Sequence, residues 1–248
     1  MSDKFQIVDI IDEEGHIYKN VLVYDIDDDE MKKWKFVLES HMEDRKPGIE
    51  LYQDPINPNI GYRLHSGYYC KDFAEKKDLE LVTFLNQKKK VKLTKFPYGL
   101  IRYKGMFIGQ IIPFFTNYKT LSSYIWTNPD INPFGVFLKV LNALLELSEN
   151  GICYYDIKGD NFLICNGEVE TIDFDAQWIK DTTNQPCASS EYTQVHNFIY
   201  MVKEILGAES EKYHNLLFCE IGKLDDLIDI LRTGYNMWNH EKKHGLGK

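Results

Sequence analysis

Hydrophobic and polar positions in the first part of the chain follow the pattern of β-strands. β-Branched and aromatic residues dominate residues 5–11 and 16–26, on either side of a Glu-Glu-Gly turn, which predicts a β-hairpin. Strand-like character returns at residues 62–73, after a Pro- and Asn-rich stretch at 46–59 that predicts a connection rather than a core element. Residues 97–112 predict another hairpin, which turns at Lys104-Gly105.

Apolar residues recur at helical spacing in four later segments, which predicts amphipathic helices with buried stripes. The first helix ends in a run of three lysines at residues 88–90, which suits a helix C-terminus. The other three helices follow Pro113, and residues 240–248 predict a frayed polar tail. The stripes are Leu79, Val82 and Leu85; Phe134, Phe137, Leu138, Leu141, Leu144 and Leu145; Val195, Phe198, Ile199, Val202, Ile205 and Leu206; and Leu224, Leu227, Ile228, Leu231, Tyr235 and Trp238.

An acidic run at residues 25–30 precedes residues 31–42, which also have helical periodicity. Acidic side chains suit the N-terminus of a helix because of its dipole. A calcium-binding loop is the alternative interpretation. Counting from Asp25, however, Glu30 stands where such a loop needs glycine, and Phe36 where it needs a bidentate Glu.

Composition limits the classes of function. The 248 residues are 44% hydrophobic and 14% aromatic, which is typical of a packed core. A net charge of −9 disfavours nucleic acid as a partner, because phosphate backbones bind basic surfaces. Five scattered cysteines without a C-x-x-C pair favour reduced thiols and a cytoplasmic location. We expect neither a signal peptide nor a membrane span.

Polar residues concentrate in one segment whose spacing suits phosphoryl transfer. Asp156, Lys158 and Asn161 are followed by a short apolar strand, an Asn-Gly turn, and then Asp173-Phe174. In such chemistry one carboxylate positions the attacking hydroxyl and a lysine offsets charge on the transferred phosphoryl group. An amide oxygen and a second carboxylate hold a divalent metal. We therefore assign Asp156 and Lys158 as catalytic, and Asn161 and Asp173 as metal ligands.

This segment resembles the catalytic loop and metal-binding triplet of the eukaryotic-type protein kinase superfamily. The resemblance covers residues 57–206. It implies an α+β, bilobal, kinase-like fold with ATP and Mg²⁺ as cofactors, and a protein with Ser or Thr side chains as the partner. The implied organisation is an extension at residues 1–50 that packs on or forms part of the small lobe, a β-rich lobe with one main helix at 51–112, and a reduced helical lobe at 113–248.

The same resemblance implies further residues in the small lobe. Lys71, at the end of a strand-like Tyr-Tyr-Cys-Lys stretch, would contact the nucleotide phosphates, with Glu80 of the following helix as its ion-pair partner. Lys35 is the alternative candidate for the lysine that contacts the nucleotide phosphates. Gly61 is the single glycine in the position of the family's glycine-rich loop. The carbonyl of Pro113 and the N–H of Phe115 would bind adenine.

The sequence also departs from the family. Tyr154-Tyr155 replace the His-Arg that precedes the catalytic Asp, so we expect no switch through a phosphorylated activation loop. Asp175 replaces the glycine of the triplet. Gln194 or His196 stands where the family has the anchoring Asp of the next helix.

Three functions remain open. The first is a divergent Ser/Thr protein kinase, favoured by Lys158 two residues after Asp156. The second is a kinase-fold enzyme that phosphorylates a small molecule, like the aminoglycoside phosphotransferases, which typically have a His before the Asp and lack that lysine. The third is a pseudokinase that serves as a nucleotide-binding or scaffold module, favoured by the nearly absent glycine-rich loop.

Overall fold

The computed structural model describes residues 4–33, 49–65, 71–88, 90–183, 188–217 and 222–244. These residues fall into two units. Unit 1 lies within residues 1–89, 96–116 and 174–176, and unit 2 lies within residues 90–95, 117–173 and 177–248. Both strands and helices are present, which confirms the expected α+β class.

The described part of unit 1 contains one mixed sheet of six strands with a helix on one face. The sheet order is β1-β2-β5-β6-β4-β3, in which β2 and β5 are parallel and the other neighbours antiparallel. The elements are β1 (Phe5–Ile11), β2 (Ile17–Ile26), β3 (Ile49–Gln53), β4 (Ile60–His65), α1 (Lys71–Asn86), β5 (Gly99–Tyr103) and β6 (Met106–Pro113). Both predicted hairpins, β1–β2 and β5–β6, are confirmed.

The two faces of this sheet bury different residues because side chains alternate along a strand. One face packs against Leu79 and Val82 of α1, and Tyr24 and Tyr62 stack at 4.9 Å within the cluster on the other. The α1 face carries Val21, Val23 and Leu100, whereas the other carries Tyr24, Ile26, Tyr52, Tyr62, Leu64, Ile101 and Ile111.

Two of the elements predicted for unit 1 differ from the structure. Residues 49–53 form strand β3 inside the stretch expected to be a connection, and only residues 54–59 form the turn to β4. Asp54 causes this turn, because its Oδ1 accepts hydrogen bonds from the backbone N–H groups of Ile56 and Asn57 at 2.8 and 2.5 Å. The strand expected at 62–73 ends at His65, and Lys71 already begins α1.

Asp27 begins a helical segment at residues 28–33, which confirms the acidic run as a helix N-terminus; the rest of the predicted helix lies outside the described residues. Asp27 Oδ1 accepts hydrogen bonds from Asp29 N and Glu30 N at 3.0 and 2.8 Å. The Lys4 ammonium, 2.7 Å from Asp27 Oδ2, lowers the pKa of Asp27 to about 2.

Unit 2 is mainly helical, with short strands on both sides of residues 155–161. Its elements are β7 (Lys119–Thr120), α2 (Leu121–Trp126), α3 (Pro133–Glu149), β8 (Ile152–Tyr154), β9 (Phe162–Cys165), β10 (Glu168–Thr171), β11 (Ile179–Asp181), α4 (Ala188–Leu206), α5 (His214–Leu217) and α6 (Asp226–His244). The predicted turn between β9 and β10 is confirmed, and both of its residues, Asn166 and Gly167, have positive φ.

Helix α3 is the central buried helix of unit 2. Asn132 caps it by accepting a hydrogen bond from Phe134 N at 3.0 Å, and Pro133 occupies its first turn. The predicted stripes on α3, α4 and α6 are largely buried, although Tyr235 is 39% exposed. Helix α6 continues to His244, so the prediction of a frayed tail from residue 240 is wrong.

Candidate active site

Asn161 and Asp156 form the centre of the candidate site in unit 2. Asn161 Nδ2 lies within hydrogen-bond distance of Asp156 O and Oδ2, at 2.9 and 2.7 Å, and its residue is 3% exposed. Lys158 Nζ lies 2.7 Å from the same Oδ2. Because Asp156 Oδ2 receives both donors, Oδ1 is the oxygen that can receive the proton of an incoming hydroxyl.

Exposure separates the three side chains of this loop. The Asp156 side chain is 15% exposed and that of Lys158 is 47% exposed, whereas Asn161 is buried. The amide is therefore enclosed in unit 2, whereas the ammonium is accessible to charge on a bound group.

Tyr154 connects the loop to the residues before Asp173. Its hydroxyl donates to the carbonyl of Ile172 at 2.9 Å and accepts from Asn161 Nδ2 at 2.9 Å. The N–H of Ile172 in turn donates to the carbonyl of Asn161 at 2.9 Å. Asp173 thus directly follows a residue that is hydrogen-bonded to both Tyr154 and Asn161. Asp156, Lys158 and Asn161 contact one another within the loop, and Asp173 is connected to them through Ile172.

Asp173 has a φ of +64°, a conformation that is costly for a residue other than glycine. The next residue, Phe174, is 3% exposed and packs edge-to-face on Phe96 with ring centres 5.3 Å apart. Asp175 then pairs with Arg63, so both residues after Asp173 are anchored within unit 1.

Helix α4 supports the backbone of the segment that leads to Asp156. Gln194, which is 1% exposed, donates from Nε2 to the carbonyl of Tyr154 at 3.1 Å, and Asn197 donates to that of Tyr155 at 2.8 Å. His196 instead is exposed and stacks on Tyr192. Of the two candidate anchors, Gln194 is the one that contacts the segment.

Gly159 lets the loop pack tightly against α2. A Cβ at this position would lie 2.0 Å from Ser122 Oγ and 3.3 Å from Ser122 Cβ, so any other residue would force the Ser122 hydroxyl to rotate away. The glycine between Lys158 and Asp160 avoids this clash.

Lys71 and Glu80 both belong to α1, nine positions apart, whereas the resemblance implies a lysine at the end of a strand and its partner on the following helix. Glu80 is exposed. The assignment of Lys71 to the nucleotide phosphates stays a prediction, and its rival Lys35 lies outside the described residues.

Gly61, Pro113 and Phe115 lie near the end of β6 or beside it. Gly61 is in β4 rather than in the turn, and a Cβ there would lie 2.8 Å from Cδ2 of Phe114. Pro113 ends β6 opposite Ile60, and Phe114 N donates to Asn59 O at 2.9 Å. Their proposed nucleotide contacts stay predictions.

A group of buried polar residues in unit 1 was not predicted from the sequence. Arg63 of β4 stands opposite Gln110 of β6, and Gln110 Nε2 donates to Asp78 Oδ1 of α1 at 2.9 Å. Arg63 is 6% exposed, Gln110 fully buried and Asp78 7% exposed. The available signal was the alternation in β4, where Arg63 falls on the opposite face from the apolar Tyr62 and Leu64.

Two groups of oxygen ligands bear on metal binding. Asn161 directs its Nδ2 toward three acceptor oxygens, so Oδ1 is its potential ligand atom, and Asp173 adds a carboxylate; hard oxygens of this kind fit Mg²⁺. Asp12, Glu14 and His16 also offer ligand atoms within 4.8 Å of one another. Asp12, however, already accepts hydrogen bonds from the backbone N–H groups of Glu14 and His16 at 3.0 and 2.8 Å, the pattern of a turn.

Two cysteines lie within the described residues of unit 2. Cys153 and Cys165 are free thiols, and burial raises the pKa of Cys165. The other three cysteines lie outside the described residues. Within the described ranges, none of the helices combines the length and apolar character that crossing a membrane requires.

Comparison with known proteins gives no relative for this chain: neither the protein-family models nor the curated protein sequences contain a match.

Proposed function

We propose that this chain is an ATP- and Mg²⁺-dependent phosphotransferase, a divergent Ser/Thr protein kinase with the bilobal kinase-like fold. One observation carries the proposal. The buried Asn161 amide donates to the Asp156 carboxylate at 2.7 Å, and the backbone of Asn161 is hydrogen-bonded to Ile172, the residue before Asp173. A carboxylate base beside two hard oxygen ligands is what phosphoryl transfer from a metal-bound nucleotide requires.

Asp156 orients the hydroxyl of a Ser or Thr side chain and accepts its proton on Oδ1. The hydroxyl oxygen forms a bond to the γ-phosphorus of ATP while the bond from that phosphorus to the β,γ-bridging oxygen breaks. ADP leaves with the electron pair of that bond. The carboxylate serves mainly to position the hydroxyl, because the loose transition state needs little help from a strong base.

Lys158 and the two metal ligands act on charge. The ammonium of Lys158, which is partly exposed beside Asp156, turns to the transferred phosphoryl group and offsets its developing negative charge. Asn161 Oδ1 and the Asp173 carboxylate hold Mg²⁺, which supplies charge neutralisation at the nucleotide phosphates.

A nucleotide-binding module without transfer activity is the second candidate. Two observations favour it: α1 begins at Lys71, where the resemblance implies a strand, and the buried Arg63 is paired with Asp175. In this alternative, Asn161 and Asp173 still hold a metal nucleotide, but no phosphoryl group reaches an acceptor.

Incubation with γ-labelled ATP, Mg²⁺ and a generic protein substrate tests the proposal. We expect label on Ser or Thr, its loss in Asp173→Ala and its retention in Asp160→Asn, which removes an exposed acid from the same loop. Nucleotide binding without label would select the module, and label on small-molecule acceptors alone would select the small-molecule enzyme. Absence of both binding and transfer would contradict the proposed function.

Lys158→Ala separates transition-state stabilisation from binding. Because the lysine acts on charge that develops during transfer, we expect kcat to fall about 10²-fold while KM for ATP changes little. An equal loss of ATP affinity and kcat would assign the lysine to ground-state binding instead.

A further inference from the structure

Arg63 and Asp175 form an ion pair in unit 1 that the proposed transfer step does not use. Arg63 Nη1 lies 2.9 Å from Asp175 Oδ1, and Nη2 donates to Oδ2 at 3.1 Å. The two side chains are 7% and 23% exposed. Two parallel hydrogen bonds with this burial fix the carboxylate in orientation as well as distance.

The sheet holds Arg63 in place. Its strand β4 lies between β6 and β3, and its cross-strand partner Gln110 is itself held by Asp78 of α1. The guanidinium therefore belongs to a framework of paired strands and a packed helix, and Asp175 is fixed to that framework.

The positive φ of Asp173 suggests a structural role for the Arg63–Asp175 pair two residues further on. A residue other than glycine keeps a positive φ only where its neighbours determine the conformation. On one side, Ile172 is held by Tyr154 and Asn161. On the other side, Phe174 is buried against Phe96 and Asp175 is held by Arg63.

We infer that Arg63 and Asp175 are positioning residues that fix the backbone conformation of Asp173 and hence the direction of its metal-binding carboxylate. This inference rests on the proposed function. It also accounts for Asp175 itself: a glycine at this position would offer Arg63 no carboxylate, so the departure in the sequence creates the anchor. The arginine then acts through Asp175 rather than on the nucleotide phosphates.

Two measurements test the inference on Arg63→Gln, Asp175→Asn and the double variant. One is hydrogen exchange of the backbone N–H groups of residues 172–176. The other is the dissociation constant of Mn²⁺ in the presence of a non-hydrolysable ATP analogue. Arg102→Gln is the matched control, because Arg102 forms a second bidentate pair in unit 1, with Asp25 at 2.6 and 2.7 Å.

We expect both single variants to speed exchange at residues 172–176 and to weaken Mn²⁺ binding about tenfold, as loss of a group that orients a metal ligand does. The double variant should match the single ones, because both remove the same interaction. Arg63→Lys, which keeps a cation at the buried position, should recover part of the Mn²⁺ affinity. Arg102→Gln should change neither measurement.

The opposite pattern overturns the inference. If Arg63→Gln weakens binding of the ATP analogue without metal while Asp175→Asn does not, Arg63 contacts the nucleotide itself. If exchange at residues 172–176 is no faster than in Arg102→Gln, the pair does not position the segment. Should the unaltered protein bind no Mn²⁺ with the analogue, the proposed function fails, and the exchange measurement still decides whether the pair fixes residues 172–176.

Discussion

The hydroxyl of Tyr154 joins two segments of the candidate site that are distant in the sequence. It donates to Ile172 O and accepts from Asn161 Nδ2, and the tyrosine is fully buried. The single proton of this phenol is donated to the backbone carbonyl of the residue before Asp173. The hydroxyl therefore connects Asn161 to the segment that leads to Asp173.

Replacing Tyr154 with Phe should therefore lower the free energy of unfolding without creating a cavity in the core. The ring volume is kept, but the Ile172 carbonyl and the Asn161 amide lose a buried partner, which costs about 1–3 kcal/mol of unfolding free energy. Urea denaturation measures this change. Tyr118→Phe, at a 48% exposed position of the same unit, should stay within about 0.5 kcal/mol. Equal stabilities of the two variants would contradict the role of the hydroxyl.

A contact between residues that are close in the chain can be anticipated from their spacing, whereas the catalytic and metal-binding roles of Asp156 and Asn161 stay predictions. Asp156 and Asn161 are five residues apart and meet through a hydrogen bond inside one loop. Arg63 and Asp175 are 112 residues apart, and only the sheet and the chain path bring them together. Spacing within a loop is visible in a sequence, whereas pairing over such a distance depends on tertiary structure.

Helices α3 and α6 illustrate packing between whole elements. Gly234 of α6 faces the Phe134 ring of α3, and a Cβ on the glycine would lie 2.4–2.8 Å from three ring atoms. The Phe134 ring cannot retreat easily, because it is fully buried and packs edge-to-face on Tyr213 with ring centres 4.7 Å apart. The two helices approach at a position where only hydrogen fits.

Gly234→Ala should for this reason destabilise unit 2, although alanine is the better helix former. The intrinsic gain in a helix is about 1 kcal/mol, and overpacking a tight core costs about 1–3 kcal/mol, so we expect a net loss of up to about 2 kcal/mol. Thermal and urea unfolding measure it. Combining the change with Phe134→Leu, which shrinks the opposing side chain, should make the added methyl group less costly than it is alone. A stabilised Gly234→Ala protein would show that the helices can move apart.

Elements were predictable in proportion to the regularity of their pattern. The long apolar stripes of α3 and α4 and the hairpin turn at Asn166-Gly167 were found because period and turn chemistry are local properties. Strand β3 was missed because its five residues adjoin the Asp- and Asn-rich turn, whose composition dominated that stretch. The end of β4 was placed too late because the aromatic residues that follow it also suit a strand.

At the scale of the whole molecule, ligand binding and stability are linked. Any ligand that binds only the folded chain raises its unfolding free energy, by about 2.7 kcal/mol at a hundred times the dissociation constant. For a chain of this length, 1 kcal/mol corresponds to roughly 2–4 °C in Tm. If Asn161 and Asp173 hold Mg²⁺ with ATP, the two ligands together should therefore raise Tm by roughly 5–10 °C.

The dependence of this Tm shift on the metal tests the assignment of Asn161 and Asp173 as metal ligands. Addition of EDTA should remove most of the shift, because the nucleotide then loses the cation that joins its phosphates to Asn161 and Asp173. Asp173→Ala should behave with Mg²⁺ as the unaltered protein does with EDTA, whereas Asp160→Asn should keep the full response. Inorganic tripolyphosphate with Mg²⁺ controls for binding of polyanions in general. An ATP shift that persists unchanged in EDTA would mean that the nucleotide binds elsewhere or by other groups, and the assignment of Asn161 and Asp173 as metal ligands would then be wrong.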